Sequence, residues 1–172
     1  MHSYRVHAIP QATADAVRTQ LTSPQYGHPA HVKVATGYGP CRLCLQFFKV
    51  GEDRRILFTY DPFAETAAAP LPGPVFVHEG ACTRYPEEAG FPHHLLDHAL
   101  TLVAYGDNRR QLAEEQVPVG AEIEPVLQRL LADPEVRYLH VRDTQAGCFD
   151  VRLERAPAGA VGCSNHGSAG SC

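Results

Sequence analysis

The stretch His140–Arg155, HVRDTQAGCFDVRLER, decides how the chain is read. On either side of a central DTQAG every second residue is apolar, the period of a half-buried strand. DTQAG (143–147) is short enough to close a hairpin, with Gly147 placed where the backbone leaves the ordinary regions. Leu139, Val141, Phe149, Val151 and Leu153 are expected on one face, because a one-residue slip would expose half of them to water. Opposed positions then sum to an even number, and the loop length suggests Arg142 opposite Cys148, His140 opposite Asp150 and Tyr138 opposite Arg152. Directly opposed side chains lie within reach of one another. The second face would therefore gather Cys148, Arg142, His140 and Asp150.

Working outward, YRVHAI (4–9) alternates as a strand, and Gln11–Leu21 is Ala-rich and helical, ending before Ser23-Pro24. Residues 25–40 are rich in Gly, Pro and His and read mainly as loop. RILFTY (55–60) and PVFVH (74–78) are strands by their β-branched and aromatic content, joined by a Pro-rich loop. LTLVAY (100–105) is another strand, with a turn at GDN. Ile123, Val126, Leu127, Leu130 and Leu131 fall on one face of a helix over 121–132, stopped by Asp133-Pro134. VRYLHVR and CFDVRLER complete the set. Strands outnumber helices without regular alternation, which predicts an α+β fold, a single compact domain with a mostly antiparallel sheet, a few helices and a C-terminal β-hairpin.

A chain of 172 residues at 44% hydrophobic and 20% charged suits one globular domain. From Ala156 onward, APAGAVGCSNHGSAGSC has almost nothing to bury, so the globular domain is expected over 1–157 and a disordered tail over 158–172. The net charge of −4, with the basic residues dispersed, argues against a nucleic-acid partner. No run of ~20 apolar residues suggests a membrane span, and the first residues lack a secretory pattern. A cytoplasmic location is expected, and with it reduced thiols. The six cysteines, Cys41, Cys44, Cys82, Cys148, Cys163 and Cys172, would then be buried, metal-bound or reactive rather than paired.

Two constellations carry chemistry. Cys41-x-x-Cys44 followed by His78-x-x-x-Cys82 has the paired spacing of a tetrahedral zinc site. Against it, Leu45 stands where a zinc knuckle usually has a glycine. The same residues also read as small buried hydrophobes, or Cys41 and Cys44 as a redox pair. In the hairpin, Arg142 would favour a Cys148 thiolate while Asp150 orients His140 as acid or base, the arrangement of an activated nucleophile. The other reading is an ordinary wet sheet face. His93, His94 and His98 lack the zincin pattern and read as surface polar residues.

The ordered set PCRLCL (40–45), GE (51–52), LFTYDPF (57–63), GPVFVH (73–78), Ala104-Tyr105 and HVRDTQAGCFDVRLERA (140–156) resembles the bacterial domain-of-unknown-function family 1203 over about residues 4–157. The resemblance implies a stand-alone α+β domain and no established activity. It marks Cys41, Arg42, Tyr60, Pro62, Phe63, Gly73, Phe76, Arg142, Gly147, Cys148, Phe149, Arg152 and Arg155 as signature positions, while Val103 departs from an expected arginine. Two functions follow as expectations. One is a thiol-dependent enzyme acting on a small anionic molecule, with Cys148 as nucleophile or thiolate ligand, His140 as acid/base, Asp150 orienting it and Arg142 or Arg152 holding the anion. The alternative is a zinc-binding or partner-binding domain without catalysis, its metal held by Cys41, Cys44, His78 and Cys82.

Overall fold

The structure is a computed structural model, and it describes residues 2–64 and 71–157. The tail over 158–172, with Cys163, His166 and Cys172, lies outside the described residues. The expected α+β architecture is present: the described residues form eight strands and two helices, with antiparallel pairing throughout. In chain order the strands are β1 (Tyr4–His7), β2 (His31–Val34), β3 (Arg54–Tyr60), β4 (Gly73–His78), β5 (Leu100–Tyr105), β6 (Gln111–Val117), β7 (Tyr138–Asp143) and β8 (Phe149–Arg155). The helices are α1 (Gln11–Gln20) and α2 (Glu124–Ala132), and a 3-10 segment spans His93–Asp97. Five strands form one sheet in the order β1-β8-β7-β5-β6, and three form a second in the order β2-β3-β4. No helix among the described residues is long and apolar enough to cross a membrane.

Each sheet has its own core. Leu102, Leu139, Val141, Val151 and Leu153 from the large sheet pack against Leu127, Leu130 and Leu131 of α2, all buried. This is the helix face that the apolar spacing defines, and Pro125 sits in the first turn, where its missing N–H costs nothing. The second core joins Ile56, Phe58, Val75 and Val77 of the small sheet to Ala14 and Val17 of α1 and to Cys41 and Leu43. The two strands absent from the sequence reading are both edges. β2 is short and largely exposed, and β6 (QLAEEQV) is polar with no clean alternation, so neither carries the two-residue period of a half-buried strand.

The C-terminal hairpin differs from expectation in register. His140 lies opposite Arg152, not Asp150, and Arg142 lies opposite Phe149, not Cys148. Two local events cause this. Asp143 belongs to the strand: its N–H donates to the Cys148 carbonyl (3.1 Å), and its carboxylate accepts from Ala146 N–H (2.6 Å). The connection is therefore Thr144–Cys148, shifted one residue along from DTQAG, and Gly147 lies in it at φ +69°. A β-bulge then makes Phe149 and Asp150 together face Arg142, restoring even parity from Val141 opposite Val151 onward. The bulge also moves Phe149 out of the apolar set. Its ring packs 4.9 Å from the His140 ring and against the second core rather than the first.

Candidate metal centre

Cys41, Cys44, His78 and Cys82 converge. Their four ligand atoms lie within 4.8 Å of one another, and the group excludes Cys148. The first two come from a tight loop bracketed by a β-bridge between Pro40 and Phe47. Cys41 N–H donates to Gln46 O (2.8 Å) and Leu45 N–H to Cys41 O (2.8 Å), folding the loop back on itself. Leu45 makes that turn at φ +59°, the conformation for which glycine is usually recruited. Burial compensates: the Leu45 side chain is fully enclosed in the first core, and its carbonyl accepts from His94 Nε2 at 2.6 Å. The leucine thus takes the glycine's place, and the objection to a knuckle falls. His78 ends β4, and Cys82 follows four residues on.

Two of the distances across the cluster match the edges of a tetrahedral site. Cys41 Sγ and Cys82 Sγ are 3.8 Å apart, and Cys44 Sγ and His78 Nδ1 are 3.5 Å apart. A tetrahedral zinc with sulfur at ~2.3 Å and nitrogen at ~2.0 Å requires S···S edges of about 3.8 Å and S···N edges of about 3.5 Å. None of the described cysteines is in a disulfide.

The surroundings favour an ionised Cys41 and a protonated Cys44, because the hydrogen bond that draws one thiol down pushes the other up. Hydrogen bonds involving Cys44, Cys82 and His78 draw the Cys41 thiol far below its ordinary range, against the effect of burial. The bond to Cys41 also pushes the His78 imidazolium up to about 10. Outside the cluster, Arg18 Nη2 donates to Cys82 Sγ (3.2 Å) while its Nε holds the His78 carbonyl (3.0 Å). His78 N–H donates to Cys41 Sγ (3.4 Å). The far ring nitrogen of His78, Nε2, lies 3.5 Å from the Asp53 carboxylate, the contact that orients a metal-binding imidazole. Three thiolates with a divalent cation would sum to one negative charge, which the Arg18 guanidinium beside Cys82 would offset. Nothing in the sequence marks Arg18 or Asp53, because each reaches the cluster only through tertiary packing.

Arg42, between the two loop cysteines, is buried and ties this loop to the hairpin bulge. It donates to the carbonyls of Phe149 and Pro40, and its Nη2 lies 3.0 Å from Asp150 Oδ1. That approach is an ion pair without hydrogen-bond alignment, since Oδ1 has no hydrogen-bond partner among the described residues. Burial raises Asp150 to about 6 although Arg42 opposes it.

Asp150 is therefore committed to Arg42, and His140 stands elsewhere. The His140 ring is fully buried among Phe63, Tyr105, Tyr138 and Phe149, with centroids 4.6–5.2 Å away, and neither nitrogen has a hydrogen-bond partner among the described residues. Burial, with Arg142 and Arg152 adding to it, holds the imidazole well below its usual pKa and hence neutral. Arg142 donates to Tyr105 Oη (3.2 Å). Cys148 precedes β8, and its charged neighbours are Arg42, Asp150 and Asp143, none of which surrounds His140. Burial raises the Cys148 thiol, keeping it protonated.

The state of His140 has a consequence for stability. An imidazole that titrates lower in the folded than in the unfolded chain loses stability as pH falls below ~6.5, where only the unfolded form takes the proton. His140→Phe removes two orphaned nitrogens and keeps a ring in the aromatic cluster. Its stability at pH 7 should equal or exceed the wild type's, by up to about 1–2 kcal/mol. Its loss of stability between pH 6.5 and 5 should also be shallower. Denaturant titrations at the two pH values check both; a variant several kcal/mol less stable at pH 7 would contradict this reading of the ring.

The His93, His94 and His98 positions hold no metal cluster among the described residues. His94 supports Leu45, and His98 stacks on Tyr38 at 3.7 Å between ring centroids. Residues 38–155, a span that includes all four cluster residues and the hairpin, match the family of proteins of unknown function designated DUF1203. No curated protein and no solved structure matches the chain.

Proposed function

The chain belongs to the DUF1203 family, whose function is unknown, so its role has to be read from the site, and we propose that it is a zinc-binding domain built on a structural Cys3His centre. The observation that carries this reading is the agreement of the two cross-cluster distances with tetrahedral edges. Thiolate-rich sets with an imidazole select zinc over the hard cations, which take oxygen. All four positions are filled by protein groups, and such closed sites support a fold rather than hold a substrate.

Zinc takes the place of the protons now shared among the four side chains. Binding therefore releases protons, and affinity falls as the pH is lowered. The centre fastens the loop at residues 40–47 to the end of β4, and Arg42 passes that order on to the β8 bulge. Catalysis by Cys148 is not part of the proposal, because burial raises that thiol rather than activating it.

Elemental analysis of protein produced with ample metal should give close to one zinc per chain. A content near zero excludes the proposal. Asp53→Asn keeps all four ligands and weakens only the orienting contact, so zinc affinity should drop about 10–100-fold in competition with a chromogenic chelator. Unchanged affinity would remove Asp53 from the centre.

A further inference from the structure

The four residues of the metal centre are not equally sheltered. Cys82 and His78 line a cleft of about 430 Å³, whereas Cys41 and Cys44 are not among its walls. Cys82 is half-buried and Cys41 fully buried. Arg18 Nη2 donates to the Cys82 sulfur at 3.2 Å. Partly exposed, electropositive surroundings of this kind are where reactive cysteines sit. On the cleft itself the carboxylates of Glu52, Asp53 and Glu79 stand against one guanidinium, that of Arg54, which Glu79 already pairs. An anionic oxidant is therefore opposed there, and a small uncharged one is not. Behind Cys82, the Cys41 sulfur lies 3.8 Å away. A disulfide is ~2.05 Å long, so an approach of roughly 1.8 Å would join the two.

Zinc has no redox chemistry of its own, so any response of the centre to an oxidant belongs to sulfur. We propose, on the basis of the zinc-binding reading, that Cys82 is a site of oxidation by hydrogen peroxide and that Cys41 closes on it in a disulfide that expels the metal. In the first step the Cys82 thiolate attacks one peroxide oxygen. The O–O bond breaks, Cys82 becomes a sulfenic acid, and the other oxygen leaves as hydroxide, which solvent protonates. In the second step the Cys41 thiolate attacks the Cys82 sulfur. The S–S bond forms as the S–O bond breaks, and a second hydroxide leaves and is protonated to water. Two thiolates thus give up two electrons, and the peroxide becomes two waters. Zinc keeps only Cys44 and His78, half of its coordination set, and is released. The loop at residues 40–47 stays tied to Cys82 by the new covalent bond, and a thiol reductant reverses the change.

The test starts from zinc-loaded full-length protein in a chromogenic chelator too weak to take the metal from the reduced centre. A zinc content near zero at this point sinks the zinc reading and the redox inference together. Excess hydrogen peroxide should then release the bound zinc into the chelator. Peptide mapping by mass spectrometry, without reductant, should find a disulfide between Cys41 and Cys82. Dithiothreitol followed by zinc should restore the metal content. Combining Cys148→Ser, Cys163→Ser and Cys172→Ser leaves the three cluster cysteines as the only thiols. That variant, once shown to hold full zinc, should release it under peroxide as the wild type does. A zinc-replete protein that keeps its metal under peroxide overturns the inference and leaves the zinc centre standing. So does release accompanied by a disulfide between any other pair, or by none, and so does zinc retained by the triple variant while the wild type loses it.

Discussion

Replacing Cys44 with serine should abolish stoichiometric zinc and lower the melting temperature by roughly 10 °C or more, the shift expected for a loss of a few kcal/mol in a chain of this size. Structural zinc contributes on the order of 10–16 kcal/mol to the folding of small zinc-dependent units, comparable to or greater than the ~5–15 kcal/mol by which whole proteins are stable. Losing one of four ligands forfeits much of that. It also leaves the buried Cys41, with His78 and Cys82, one ligand short of a closed set. Leu45 adds to the cost: its turn at φ +59° is held by the closure of the loop and by burial in the core. Chelator added to the wild type should reproduce the same destabilisation, and readdition of zinc should reverse it. Cys148→Ser is the contrasting variant, since Cys148 lies outside the cluster; its zinc content should be unchanged. Zinc content and thermal melts, measured with and without chelator, check all three. A Cys44→Ser protein with full zinc would contradict the ligand set.

The second large effect belongs to Arg42. Arg42→Met should cost about 3–5 kcal/mol at pH 8, because it leaves the buried Asp150 carboxylate without its cation. The carbonyls of Phe149 and Pro40 lose a donor as well. The sign of the pH dependence follows from Asp150. Its folded pKa, about 6, is above the ordinary 3.8, so the folded state holds an extra proton between those values. The penalty for the buried charge is thus full above pH 6 and is relieved as the pH falls. Without Arg42 that pKa rises further, and the gap between variant and wild type should narrow from pH 8 to pH 5. Denaturant titrations of both proteins at the two pH values measure it. Adding Asp150→Leu to Arg42→Met should recover part of the loss, but not all, since the two carbonyls stay unmet. A gap that widened toward pH 5 would contradict the role assigned to the pair.

What the sequence made legible follows from the range of the interactions involved. The four cluster residues stood out because metal-ligand spacing is local within each pair: two cysteines in one loop, a histidine and a cysteine at the end of β4. The alternation in β7 and β8 fixed which residues share a face away from the turn, since burying Leu139, Val141, Val151 and Leu153 together admits one parity. The bulge at Asp150 left no such mark. A single inserted residue costs the pattern nothing once Phe149 finds a second apolar surface, and that surface belongs to a different sheet. Arg42 with Asp150, and Arg18 with Cys82, are pairings across the tertiary fold, invisible to any local period. Leu45 misled for a related reason: a positive φ is cheap for glycine, but a buried leucine can be held there by packing.

X-ray absorption at the zinc edge addresses the four-ligand centre most directly. A first shell of three sulfurs at ~2.3 Å and one nitrogen at ~2.0 Å, with histidine's outer-shell scattering, is the expected result. A shell dominated by oxygen, or one with two sulfurs or fewer, would contradict a closed site made by Cys41, Cys44, His78 and Cys82.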